Sequence, residues 1–335
     1  MFIKYVIKRV SNAKIPFINQ KNKCIILCYH RLTSDYARGR LYKRHLHISD
    51  FEKQINWIRK FSKIVSLDEI VERAKENKKR DYWFAAITFD DGYKDTIELG
   101  LPVLEKYSLP VTIFVTVGYV KENKLLPWWE IVDHILEYNA RVSFNFYGKE
   151  YVLNTSSLNS QIVLTNLFKS LPSSKINELK NMLMNKFHIE VNENSFANQK
   201  QIMELSNHHF IQIGAHTVLH PVLANCGKNE LIYEIEESKK TLESWTGRKI
   251  KWFAYPFGGV NDFSRQAVSI VKKAGFIGAF TTKVGAVASN YDPYEINRVV
   301  INPWITFRDF QARFLGADVI CFGKKVFPFY KNIKI

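Results

Sequence analysis

Seven short apolar runs, each ending in polar or turn-forming residues, constrain this chain more than any other feature. They are Cys24–His30, Ala85–Asp90, Val111–Val117, Ile211–His216, Trp252–Pro256, Ile277–Thr281 and Asn297–Ile301. Most are continuous rather than alternating, the pattern of strands covered on both faces. Helical patterns lie between them. Ser49-Asp50-Phe51-Glu52 predicts a capping box opening a helix to about Phe61, and Ser66-Leu67-Asp68-Glu69 predicts a second. Further helices are predicted from Asp95 to Tyr107, Asn229 to Trp245 and Ser264 to Ala274, with Gly247 and Gly275 placed as C-terminal caps. Strands alternating with helices imply a parallel sheet of βαβ units. The seven runs suggest a distorted β/α barrel, with a doubly wound open sheet as the alternative. In both, active sites lie at the C-terminal ends of the strands.

Residues 121–200 break this rhythm. They are rich in Asn, Ser and Lys, begin near Leu126-Pro127-Trp128-Trp129, and are expected to form a mainly helical insertion over the site face. The predicted organisation is a basic amphipathic segment at 1–20, a barrel from 21–120 and 201–305, the insertion at 121–200 and an extension at 306–335. The 335 residues contain 46% hydrophobic and 24% charged positions, which excludes a disordered or collagen-like chain. The net charge of +16 favours an anionic neighbour. Nucleic acid is not expected, because no RNP, helix-turn-helix or zinc-finger pattern accompanies the charge. Four cysteines (Cys24, Cys28, Cys226 and Cys321) are too few for a disulfide framework and include no CxxC pair; Cys24 and Cys28, on one face of an apolar run, are expected as buried thiols in a reducing compartment. The opening MFIKYVIKRV has no continuous apolar core or small-residue cleavage site, and no stretch reaches the ~18 apolar residues of a membrane span. The expected location is cytoplasmic.

Three strand ends carry the chemistry. Thr88-Phe89-Asp90-Asp91-Gly92-Tyr93 sends an apolar strand into two adjacent carboxylates. Side chains of neighbours on extended backbone diverge, so one can bind a metal while the other handles protons. Alone, Asp-Asp-Gly is also ordinary turn chemistry. His216-Thr217-Val218-Leu219-His220 places two histidines four apart, a usable metal-ligand spacing, although nine histidines make one such pair unsurprising by chance. Phe253-Ala254-Tyr255-Pro256-Phe257-Gly258-Gly259 ends a strand in a sharp turn whose N–H groups can meet a developing oxyanion. Together, one carboxylate and two imidazoles leave the open positions that a catalytic divalent ion needs.

In this order, Thr88–Tyr93, His216–His220 and Tyr255–Gly258 resemble the first three motifs of the polysaccharide deacetylases, carbohydrate esterase family four. Leu27-Cys28-Tyr29-His30-Arg31 is similar to the first strand of many bacterial members. The resemblance covers roughly Cys24–Val120 and Gln201–Ile301. It implies a distorted seven-stranded β/α barrel and metal-dependent removal of an acetyl group, N-acetyl first, from a saccharide such as a surface-polysaccharide precursor. Carried over residue by residue, it implies Asp91, His216 and His220 as ligands of a divalent ion, most often Zn2+, and Asp90 as catalytic base. It also implies the Phe257 N–H as an oxyanion donor and Tyr93, Tyr255 and Pro256 as substrate contacts. Two departures stand out. Ala254 replaces the Arg that orients the catalytic Asp in many members, and no late Leu-His-Asp supplies a general acid. Arg298 is the expected replacement cation and His30 the expected proton donor. A catalytically silent glycan-binding barrel and a hydrolase of a non-sugar amide are the competing readings. With no export signal expected, the substrate is a saccharide that can be lipid-linked at the inner membrane face. There Phe2–Arg9 and Lys324–Lys331 provide basic, apolar anchors for peripheral contact with anionic lipid.

Overall fold

A computed structural model describes residues 23–35, 45–76, 82–122, 125–155, 157–190 and 195–315. The segments at 1–20 and Lys324–Lys331, and Cys321, lie outside the described residues. In chain order the strands are β1 (Cys24–Tyr29), β2 (Arg31–Thr33), β3 (His45–His47), β4 (Ser62–Ile64), β5 (Trp83–Phe89), β6 (Val111–Val115), β7 (Arg141–Phe146), β8 (Lys149–Asn154), β9 (Ile211–Ala215), β10 (Trp252–Ala254), β11 (Gly278–Phe280) and β12 (Val299–Val300). All seven predicted runs enter one parallel sheet, in the order β11-β10-β9-β6-β5-β1-β12, with β4 added beside β5.

The sheet curls until its two ends meet through one extended segment. Ile296 forms a parallel bridge with Phe280 of β11, and Val299 pairs with Leu27 of β1. The result is a distorted β/α barrel. Burial on both faces explains the unbroken apolar runs: every residue of β1, β6 and β10 is buried. One set of side chains, including Leu27, Ile87, Ile113 and Phe253, packs outward against the helices. The alternate set, including Ile26, Ala86, Phe114 and Phe280, fills the interior together with Leu67 and Ile70 of the helix Leu67–Lys75. That helix closes the end away from the site, where its Asp68 accepts hydrogen bonds from Gln212 and Trp252 at the starts of β9 and β10.

Local rules account for most helix ends. Ser66 and Ser264 accept from the N–H groups of Glu69 and Ala267, and Gly247 and Gly275 sit at φ 65° and 77°. The first helix differs: it spans Ile48–Phe61 and is capped by His47, whose ring accepts from Ser49 N–H, so the expected Ser49 cap lies inside it. The insertion contains the helices Trp128–Tyr138, Leu158–Ser170 and Ser173–Lys186, plus the antiparallel hairpin β7–β8. Its apolar cluster runs through Trp128, Trp129 and Phe168 to Tyr93, Tyr119 and Phe257 of the barrel rim. Among the described residues no helix is long and apolar enough to cross a membrane.

Candidate active site

The three motifs meet at the C-terminal end of the sheet, where the backbone is repeatedly left-handed. Asp91, Thr217, His220 and Phe257 have φ of 73°, 67°, 57° and 59°. Such conformations cost non-glycine residues about 1–3 kcal/mol each and persist where the surroundings impose them. Asp90 still follows the strand, donating its N–H to Tyr29 O at 2.9 Å, and the backbone turns at Asp91. The adjacent carboxylates therefore enter different surroundings.

Asp91, His216 and His220 form the first of these. Asp91 Oδ1 lies 3.6 Å from His216 Nε2 and 3.4 Å from His220 Nε2. His216 Nδ1 is 2.7 Å from Ala254 O. A carbonyl only accepts, so Nδ1 carries the proton and Nε2 offers its lone pair. Burial lowers His216 to a pKa of about 4 and pushes His220 well below its usual value. The contacts are therefore between a carboxyl group and neutral imidazoles. Burial, and then the Asp90 charge, raise the Asp91 carboxyl well above the carboxylate range. Asp91 Oδ1 is buried with no hydrogen-bond partner, an arrangement that normally demands explanation. One unpartnered carboxylate oxygen facing the Nε2 atoms of two buried imidazoles fits a divalent ion, and the three residues' ligand atoms lie within 4.8 Å of one another.

Asp90 stands beside this cluster in a different electrostatic setting. Arg298, fully buried, grips it with a fork: one guanidinium nitrogen donates to Oδ1 at 2.6 Å and the other to Oδ2 at 2.7 Å. Arg298 also donates to Thr281 O and Thr88 Oγ1, so it ties the ends of β5, β11 and β12 together. Burial alone would raise the Asp90 carboxyl; the Arg298 charge overrides it and holds the group well below the carboxylate range. Ala254 offers no cation to Asp90; the guanidinium that holds it comes from the residue just before β12. His30 lines the cavity, its ring nitrogen within 4.8 Å of Asp90 and Cys28 ligand atoms. The Cys28 thiol donates to Asp90 Oδ2 at 3.3 Å. The sequence marks Cys28 as a buried thiol of the first strand, without a role at Asp90.

The cavity has a volume of about 200 Å³, and Asp90, Asp91, His216 and His220 contribute to its lining. Phe257 also lines it, edge-on to His220 at 4.7 Å between centroids. Tyr93 reaches it too, its hydroxyl held by Trp129 Nε1 at 2.7 Å and donating to Glu130 at 3.1 Å. Two expected substrate contacts require correction. Tyr255 is fully buried, stacks on Phe263 and donates its hydroxyl to Tyr294 O, so it belongs to the core. Pro256 is buried in the turn and absent from the cavity wall. The wall also contains two groups to which the sequence assigns no role. Arg31 pairs with Asp95 at 2.9 Å and Glu130 at 2.8 Å, stacks over Tyr93, and ties the insertion to the rim. Trp129 from the insertion packs against the His220 ring at 4.7 Å.

A parallel barrel gathers at its strand ends two carboxylates driven in opposite directions and two buried imidazoles, a donor set that could hold a divalent ion. The chain belongs to the polysaccharide deacetylase family, whose sequence pattern matches residues 77–145 and 175–277. It is 23% identical over 296 residues to a poly-beta-1,6-N-acetyl-D-glucosamine N-deacetylase of Staphylococcus aureus, covering 84% of this chain and 80% of that one. Among solved structures, the fold is similar to the Streptococcus pyogenes deacetylase PplD in complex with acetate, with TM-score 0.57, 17% identity, and coverage of 87% of this chain and 97% of that one. It is likewise similar to IcaB from Ammonifex degensii, with TM-score 0.57, 18% identity, and coverage of 88% and 97%.

Proposed function

We propose that this protein hydrolyses the acetamido group of N-acetylated sugar units in a polysaccharide, using a divalent ion, zinc first, held by Asp91, His216 and His220. The observation that carries this reading is the unpartnered, buried Asp91 Oδ1 facing two neutral imidazoles next to an Arg-paired carboxylate. A bound ion there would supply Lewis acidity toward the acetyl carbonyl and acidify a water. Asp90 accepts a proton from the attacking water, and Arg298 keeps it ionised and aimed. The Phe257 N–H, in the turn after β10, donates to the oxyanion as the carbonyl carbon becomes tetrahedral. His30, at the cavity wall, protonates the departing amine, and acetate and a free amino sugar result. The Staphylococcus aureus relative makes a β-1,6-linked N-acetylglucosamine polymer the first substrate to try. The charge of +16 supports work beside an anionic membrane, on a lipid-linked precursor.

The test is acetate release from β-1,6-linked N-acetylglucosamine oligomers. Release should stop with chelation, return with zinc, and fall by about 10²–10⁴-fold in Asp90→Asn, the usual worth of a general base. A metal-loaded protein that releases no acetate from N-acetylated glycans overturns the reading and leaves a glycan-binding barrel or a hydrolase of another amide.

A further inference from the structure

We propose that Glu234, which lies outside the cavity and touches none of the donor atoms, is a positioning residue that sets metal affinity by holding the loop carrying His216 and His220; this rests on the metal reading above. Every backbone carbonyl of the loop from His216 to Leu219 is paired. Its carbonyls are met by the segment after β6: His216 O accepts from Thr116 Oγ1, Thr217 O from Val117 N–H, Val218 O from Gly118 N–H at 2.8 Å, and Leu219 O from the Tyr119 hydroxyl. The approach is close enough that a Cβ on Gly118 would stand 2.5 Å from Val218 O.

The amide edge depends on one carboxylate. Val218 N–H and Leu219 N–H both donate to Glu234 Oε2, at 2.8 and 2.9 Å. Thr217 Oγ1 then accepts from His220 N–H at 3.0 Å, so the order imposed at Thr217–Leu219 reaches the second histidine directly. Thr217 and His220 are the two left-handed residues of the loop, and this conformation needs support from outside.

Glu234 is a carboxyl group among apolar side chains. It occupies the inward stripe with Leu231, Ile235, Ser238 and Leu242 and is 3% exposed. A carboxylate in an apolar stripe is costly unless it is hydrogen-bonded. Its helix is also irregular there: the segments Lys228–Ile232 and Ser238–Thr246 are joined by a π-turn at Tyr233–Glu237. A π-turn adds a residue and re-aims the side chains around it, and such turns gather at functional sites. Here it delivers Glu234 to the loop.

The experiment measures the zinc dissociation constant of metal-free protein by competition with a chromophoric chelator, alongside the melting temperature. Glu234→Ala, which strips the acceptor from two buried amides, should weaken zinc binding about 10–100-fold, the usual effect of losing an outer partner of a metal site. Glu234→Gln, whose carbonyl oxygen can accept both amides, should restore near-wild-type affinity. Zinc binding in Glu234→Ala as tight as in wild type, whatever its melting temperature, overturns the proposal and leaves Glu234 a packing residue. If Glu234→Ala does not fold, Glu234→Asp decides: its shorter carboxylate should weaken zinc, and unchanged affinity overturns the proposal. Wild-type protein that binds no zinc overturns the metal reading and this one together. Tight wild-type binding with an indifferent Glu234→Ala overturns this one alone.

Discussion

Replacing Arg298 with Met, in metal-free protein, isolates the buried ion pair at the centre of the site. The guanidinium is fully buried and holds both oxygens of a carboxylate that is itself 2% exposed. Removing one partner of a buried pair costs about 3–5 kcal/mol, mostly because the other charge is stranded without water. At roughly 2 °C per kcal/mol for a chain of this size, the melting temperature should fall by about 6–10 °C at neutral pH. If stranding is the cause, neutralising Asp90 should recover part of the loss, so Arg298→Met with Asp90→Asn should melt above Arg298→Met alone. The pH dependence should also reverse. In wild type the folded pKa of Asp90 lies below its ordinary 3.8, so the pair's contribution is present above about pH 4 and is lost as pH falls toward the depressed value. In Arg298→Met the main opposing charge is gone, so burial drives the folded pKa above 3.8. That variant should be at its relative best in acid and lose stability as pH climbs from about 4 through the raised value. Thermal unfolding of the four proteins from pH 3 to 8 reads both effects. Strictly additive single and double variants, or a pH profile unchanged by Arg298→Met, would refute the stranded-charge argument.

Three further outcomes are expected. Wild type should carry about one equivalent of divalent metal per chain by elemental analysis, and His220→Ala should lose most of it, as expected for a direct ligand; equal metal in both would remove His220 from the ligand set. Because burial and Asp90 raise Asp91 while the two imidazoles are already neutral, zinc binding at mildly acidic pH should expel a proton from Asp91. Calorimetry in buffers of differing ionisation enthalpy should show this release, and Asp91→Asn should abolish it. The excess of 16 positive charges predicts co-sedimentation with anionic vesicles that weakens with salt, since exposed charges are screened within ~10 Å at 0.1 M; equal recovery with neutral vesicles would remove the membrane from the reading.

The barrel was legible because a strand buried on both faces must be apolar throughout, and seven such runs leave few architectures. The strand-end motifs were legible because a parallel sheet gathers the ends of its strands. Arg298 could be singled out because the resemblance calls for a cation near Asp90, Ala254 cannot supply it, and a late apolar run carries an Arg. The rest depended on aim rather than identity. Tyr255 follows a buried strand beside a cavity residue, and only the direction of its ring shows that it faces the core. Glu234 left a trace, a carboxylate on the inward stripe of Leu231, Ile235 and Leu242, but its target depends on a π-turn with no simple sequence mark. The hairpin at Arg141–Asn154 left one as well: Val142, Phe144 and Phe146 alternate with polar residues before Tyr147-Gly148. Composition pointed to helices there, whereas period and turn pointed to strands. Trp129 and Arg31 could not be paired with the site from sequence, because nothing local says where the insertion docks.

The fork between Arg298 and Asp90 spans 208 residues of chain. At about 5–20 residues per second, a ribosome that has just made Asp90 needs roughly 10–40 s more to make its partner. Throughout that interval Asp90 has no guanidinium to hold it. If β1, β5 and β6 associate early, the carboxylate must stay wet or take up a proton, since a lone charge is not carried into an apolar interior. The segment that brings Arg298 also bridges β11 and pairs with β1. Ring closure, desolvation of the site and pairing of Asp90 thus become one late event in the life of the nascent chain, and a partly made barrel is held back from being a partly active one.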